Sequence, residues 1–172
     1  LNIKELLKKS HWDEKKYPYP NHRLEAWKYE NMKKWEQYMW SFPNIEWGMV
    51  PPGVHVVIRD SSIAIADQLP RGVRVRIDNE LLPKCEEKDA MYWLASQYAR
   101  HGLSIHLSAM AQADDPLIIV IEQNLDNAFM NQFKHSLVVE GGSLGTVIEV
   151  HQGKQNIHFN QHIWDIQLKR KA

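Results

Sequence analysis

Phe133-Lys-His-Ser-Leu-Val-Val-Glu-Gly-Gly-Ser-Leu-Gly-Thr-Val-Ile-Glu-Val-His151 decides the fold class, because two runs rich in β-branched residues flank a small glycine turn. Residues 133–140 and 145–151 read as strands, and Glu140-Gly-Gly-Ser143 reads as the turn between them. Outward from this stretch, residues 103–107, 117–122 and 156–168 have the same character, with Gln152-Gly-Lys154 as a further turn. Residues 54–58 and 62–66 are strand-like on either side of Arg59-Asp-Ser61, and Leu69-Pro-Arg-Gly-Val73 is a turn feeding the alternation Val73, Val75, Ile77. Short strands at nearly regular spacing suit a sandwich, a barrel or a β-solenoid, and periodicity alone does not choose among them.

One helix interrupts the strands near residues 89–101. Asp89 can cap it, Met91, Leu94, Ala95 and Tyr98 share a face, and Gly102 is expected as its left-handed stop. The chain before residue 51 differs in composition: five of the seven tryptophans, Trp12, Trp27, Trp35, Trp40 and Trp47, precede Gly48. There Asn2 can cap a short helix with Glu5 three residues on, and Ile3, Leu6 and Leu7 form its apolar stripe. Tyr17-Pro-Tyr-Pro-Asn21 must be extended, since each proline disfavours the α region at the residue before it. A second helix is expected after Asn31, with Trp35 and Met39 on one side. The boundary is placed at Pro51-Pro52-Gly53, giving an N-terminal helical region, 1–50, and a β core, 51–172. Core packing is the expected use of the tryptophans.

A chain of 172 residues can bury roughly 68–70% of its unfolded surface, so no metal or disulfide staple is required. Lys plus Arg and Asp plus Glu both number 21, which leaves no global field to recruit nucleic acid or an anionic membrane. The single cysteine, Cys85, cannot form an internal disulfide, and Glu86 and Glu87 beside it depress its reactivity. Residues 1–16 carry no secretion-signal core, and the longest apolar run, residues 117–121, is too short for a bilayer, so a cytoplasmic location is expected. The chain begins at Leu1, so its starting point is treated as arbitrary. Lys169-Arg-Lys171 reads as a solvated tail.

Nine histidines raise a metal hypothesis, and His151, His158 and His162 are the densest group. On one strand His158 and His162 would stand roughly 13 Å apart, too far to share an ion bound at about 2.0–2.1 Å. Glu149 and His151 fall on one strand face, opposite Leu144, Thr146, Ile148 and Val150, as a proton-transfer pair or simply the solvated side. A cupin-type metal enzyme would need a histidine pair separated by one residue and a nearby glutamate, which is missing. No phosphate loop, nucleophile elbow or HExxH run occurs either.

Arg23-Leu-Glu-Ala-Trp-Lys-Tyr29 resembles the Arg-x-Glu-x-Trp-Lys-Tyr signature near the start of proteins of the SufB/SufD family, which take part in iron–sulfur cluster assembly. Further strings follow in the family's order. They are Val56-Val-Ile-Arg-Asp60, Leu69-Pro-Arg-Gly-Val73, Ala99-Arg-His-Gly-Leu103 with His101 in place of the usual acid, and Pro116-Leu-Ile-Ile-Val120. A segment from His135 to Val150, ending in an Ile-Glu strand, and Asn160 after a turn complete the likeness. The resemblance implies N-terminal helices followed by a right-handed parallel β-helix, with a sandwich or jelly roll as the alternative.

By the same resemblance the chain is a non-enzymatic scaffold, with partners like SufB and the ATPase SufC and no stably held cofactor. A cluster or flavin would belong only to a larger complex. Arg23, Glu25, Trp27, Lys28 and Tyr29 are expected to anchor an extended segment; His135, Glu149, His151 and Asn160 are polar-face candidates. His158 and His162 are the weakest metal candidates. Family members continue into more β-helix rungs and an ATPase-docking helical region that has no counterpart here. The expected result is a homo- or hetero-oligomer through the last strands. The rival expectations are a stand-alone oligomerisation module and a small cupin-type histidine metalloprotein.

Overall fold

Alternating β-branched residues after Pro52 form eight strands in the computed structural model, which describes residues 1–21, 32–40, 49–79, 89–123, 129–153 and 158–170. They are β1 (Val56–Arg59), β2 (Ser62–Ile65), β3 (Val73–Asp78), β4 (Gly102–Leu107), β5 (Leu117–Gln123), β6 (Phe129–Val139), β7 (Val147–Gly153) and β8 (His158–Leu168). The helices among the described residues are α1 (Ile3–Lys9), α2 (Met32–Glu36) and α3 (Ala90–Tyr98). The strands make two four-stranded sheets, ordered β2-β1-β5-β7 and β3-β4-β6-β8.

Each sheet begins with one antiparallel pair, β1 with β2 and β3 with β4, and continues in parallel. From β4 to β8 the chain changes sheet at every step, and β6, β7 and β8 each lie beside the strand two earlier. Ser104 of β4 thus lies opposite Ser136 of β6, Leu117 of β5 opposite Val147 of β7, and Phe129 of β6 opposite His158 of β8. A parallel pair needs a long crossover, and here a strand of the opposite sheet supplies it. The protein is therefore mainly β, with two mixed open sheets and no closed barrel among the described residues. The parallel ladders also set it apart from a jelly roll, whose neighbours run antiparallel.

Alternation gives each sheet an apolar face, and the two faces meet. Ile58, Ile119 and Ile121 from one sheet pack with Leu103, Ile105 and Phe133 from the other. Each is at most 2% exposed, so each contributes about 1.5–3 kcal/mol relative to remaining in water. A second cluster lies on the outer face of β6 and β8, where Met130 and Phe159 meet α1, α3 and Trp40. Polar contacts tie α3 to the N-terminal segment: Trp93 Nε1 donates to Ser10 Oγ at 2.9 Å, and Tyr98 Oη to the Leu6 carbonyl at 3.0 Å. The N-terminal helices thus form a layer on the sheet. Trp12, Trp35, Trp40 and Trp93 pack in it, as core packing requires; Trp27 and Trp47 lie outside the described residues.

Local chemistry explains the element ends. Asn2 and Glu5 form a reciprocal capping box, both bonds 2.9 Å long. Asp89 Oδ1 accepts from the Met91 and Tyr92 amides at 2.8 and 3.1 Å. Asp89→Ala removes this cap and is expected to cost about 1 kcal/mol, read as a lower urea midpoint at unchanged m-value. Gly72 takes φ +78° in the expected turn before β3, closed by Val73 N–H to the Pro70 carbonyl at 3.0 Å.

Three expectations need correction. Gly102 is not a left-handed stop: α3 ends at Tyr98, Ala99 turns extended at φ −66° and ψ 119°, and Gly102 opens β4. Its missing side chain admits the Lys134 carbonyl of β6. Gln152 and Gly153 are not a turn but the end of β7, paired with Glu122 and Gln123. Met39 lies beyond α2 and is 64% exposed, whereas Trp35 packs against Trp40 and Phe159.

Candidate functional site

Parallel pairing brings distant histidines together because equivalent positions of neighbouring strands stack on the same side. Phe133 of β6 lies opposite His162 of β8, and His135 opposite Trp164. On the other sheet Glu149 and His151 of β7 lie beside Ile119 and Ile121, so both polar side chains are on the inter-sheet side. Ile148 and Val150 are on the outer side, 41% and 40% exposed. Every residue of β7 is nonetheless exposed, so Glu149 and His151 remain on a solvated side even though register with β5 points them toward the other sheet.

Three imidazoles and a carboxylate converge there. The Leu103 amide of β4 donates to His135 Nδ1 at 3.0 Å, and His135 Nε2 lies 2.9 Å from His162 Nδ1. The His151 ring stands nearly perpendicular to that of His162, centroids 6.1 Å apart, and His151 Nε2 is 3.7 Å from Glu149 Oε2. Trp164 covers His135 at 4.4 Å, and Phe133 stacks on His162 at 4.9 Å. His135 is 1% exposed, whereas the His151 side chain is 54% exposed.

Burial sets the charge state. It pushes the His135 imidazole down to about 3, with repulsion from His162 and then His101 adding to the effect. His162 is pushed down to about 4, again first by burial and then by His151. Both rings are therefore neutral near pH 7. A backbone amide can only donate, so His135 Nδ1 must accept, and the His135 proton sits on Nε2. That proton is donated to His162 Nδ1, which leaves the His162 proton on its own Nε2, a buried atom without a hydrogen-bond partner among the described residues. A metal at His162 Nε2 would need the lone pair that this proton occupies. Among the described residues no three His, Cys, Asp or Glu side chains are grouped to hold an ion.

The remaining candidates are scattered or undescribed. Asn160 of β8 lies opposite Asn131, and its buried Oδ1 has no hydrogen-bond partner among the described residues, while Asn131 Nδ2 donates to the Asp60 carbonyl. His158 stands opposite Phe129, four positions before His162 on the same strand. Arg23, Glu25, Trp27, Lys28, Tyr29 and Cys85 lie outside the described residues. Sequence reading missed the partners of His135, namely the Leu103 amide, His162 and Trp164. The offset between paired positions shortens from one parallel pair to the next, so there is no fixed period by which to find them.

No protein-family model matches the chain, and no curated protein matches it. The likeness to the SufB/SufD family rests on the motifs of the sequence. No helix among the described residues is long and apolar enough to cross a membrane.

Proposed function

We propose that the chain is a SufD-like, non-enzymatic scaffold of iron–sulfur cluster assembly, whose two sheets are the walls of a flattened right-handed β-helix. The observation that carries this reading is the path from β4 to β8, which alternates sheets and stacks β6, β7 and β8 in parallel on the strands two before them. A coil needs that path, and a sandwich of hairpins does not. The ordered motifs from Arg23 to Asn160 support the same family.

The polar cluster favours a structural use. Its inner histidines are neutral and engaged with each other and with a backbone amide. A cluster or flavin belongs to the larger complex. The surface that meets partners is the β7–β8 end, where both sheets finish in edge strands and Leu144, Val147, Ile166 and Leu168 are exposed at 38–74%. Such edges offer unpaired backbone and apolar area to another chain. The partners are a SufB-like subunit, with a SufC-like ATPase in the same assembly, or a second copy, and the setting is the cytoplasm.

The test is co-purification of the tagged protein from cells that also express SufB-like and SufC-like proteins. Recovery of the SufB-like protein is expected, together with its loss on Ile166→Glu/Leu168→Glu, which places charge on the edge. Recovery of neither protein removes the pathway assignment.

A further inference from the structure

The tautomers of His135 and His162 follow from one fixed donor, and the hydrogen-bond chain they form crosses three strands. Leu103 N–H of β4 donates to His135 of β6, and His135 donates to His162 of β8. Every link carries one proton. A second proton on His162 would place N–H against N–H across 2.9 Å, and a second proton on His135 would do the same against the Leu103 amide across 3.0 Å. Each event converts a bond into a repulsion between two donors in a largely buried site, which costs the bond and leaves the donors facing each other.

We propose that His135 and His162 are a proton-ordered latch, which fastens β8 to β6 while both imidazoles are neutral and lets β8 detach when either gains a second proton.

The surroundings suit this role. From β7, Glu149 and His151 face the pair; from the segment before β4, His101 packs on Phe133 at 5.6 Å and donates to the Ser61 carbonyl at 2.7 Å. Ile58 of β1 and Ile121 of β5 face it as apolar walls, and Phe133 and Trp164 sandwich the rings. Asp60, buried in the β1–β2 turn, is tied to this side of β6 through its carbonyl and Asn131. The one carboxylate beside the histidines among the described residues, Glu149, is nearest to the outer His151. A proton arriving from solvent therefore meets His151 before the latch. Detachment of β8 would withdraw the edge strand, so acid would remove whatever contact β8 makes. The latch stands on this geometry and not on the scaffold reading.

The experiment uses the full chain labelled with ¹⁵N. Imidazole nitrogen shifts at pH 7 should show both residues as the Nε2–H tautomer. Amide-exchange protection factors should fall in β8 between pH 6.5 and 4.5 by up to about tenfold per pH unit for His162 alone, while those in β1 and β5 change little. His162→Phe keeps a ring on Phe133 and removes one of the two titrating groups, so it should take away about half of the slope of the β8 profile. Three results would overturn the proposal: an Nδ1–H tautomer at His162, as a metal ligand would have; β8 protection that tracks β1 at every pH; or the unaltered slope in His162→Phe. If that variant does not fold, the tautomers and exchange of the natural chain still decide.

Discussion

Gly102→Ala is expected to disrupt the fold. A Cβ at this position would coincide with the Lys134 carbonyl, so β4 and β6 could not keep their pairing. Overpacking by a methyl group usually costs about 1–3 kcal/mol, but here the obstacle is backbone and neither partner has a rotamer to yield. A loss above about 3 kcal/mol is expected, a large share of the roughly 5–15 kcal/mol that holds a domain together. Gly53→Ala is the comparison. Gly53 has φ +79° but open space around its Cβ position, so only the left-handed backbone opposes alanine, at about 1–2 kcal/mol. Urea unfolding of both proteins separates the effects. A Gly102→Ala protein as stable as Gly53→Ala would remove the close approach of β4 to β6 from the account.

Acid should destabilise the protein well before its carboxylates titrate. His135 and His162 are pushed down to about 3 and 4 in the fold, against about 6.5 in the unfolded chain. Below pH 6.5 the unfolded chain therefore binds protons that the folded chain refuses. The stability these residues contribute is complete above pH 6.5 and is lost as pH falls toward 3, with both histidines acting down to about 4 and His135 alone below it. Each contributes a slope of up to about 1.4 kcal/mol per pH unit. Denaturant midpoints between pH 7.5 and 5 measure it. His135→Phe should remove about half of the slope. A midpoint independent of pH would mean that the two rings are not buried as neutral species.

Much of the secondary structure was legible because its causes are local. Asn2 and Asp89 announce helix starts by chemistry that acts within three residues, and β-branched runs announce strands. What the local code lacks is the partner across the ladder. Gly102 reads as a helix stop because it follows α3 closely, yet its reason is the Lys134 carbonyl, two strands further along the chain. Glu149 and His151 read as a solvent face and are exposed, but only register with β5 shows that they lie on the side toward the other sheet, next to His162. His162 was weighed against His158 on its own strand, whereas its bonded neighbour is His135 on β6.

The two ends of the sheets differ in a way that limits how copies can add together. One end closes with reversed strands, the four-residue β2 and β3 with its outward Arg74 and Arg76. Charge and brevity are the usual guards against a foreign strand. The other end is parallel and open. Among the described residues, two molecules meeting open end to open end would each cover the β7 and β8 edges, so growth by these edges would stop at a closed, two-fold pair and not run on as a filament.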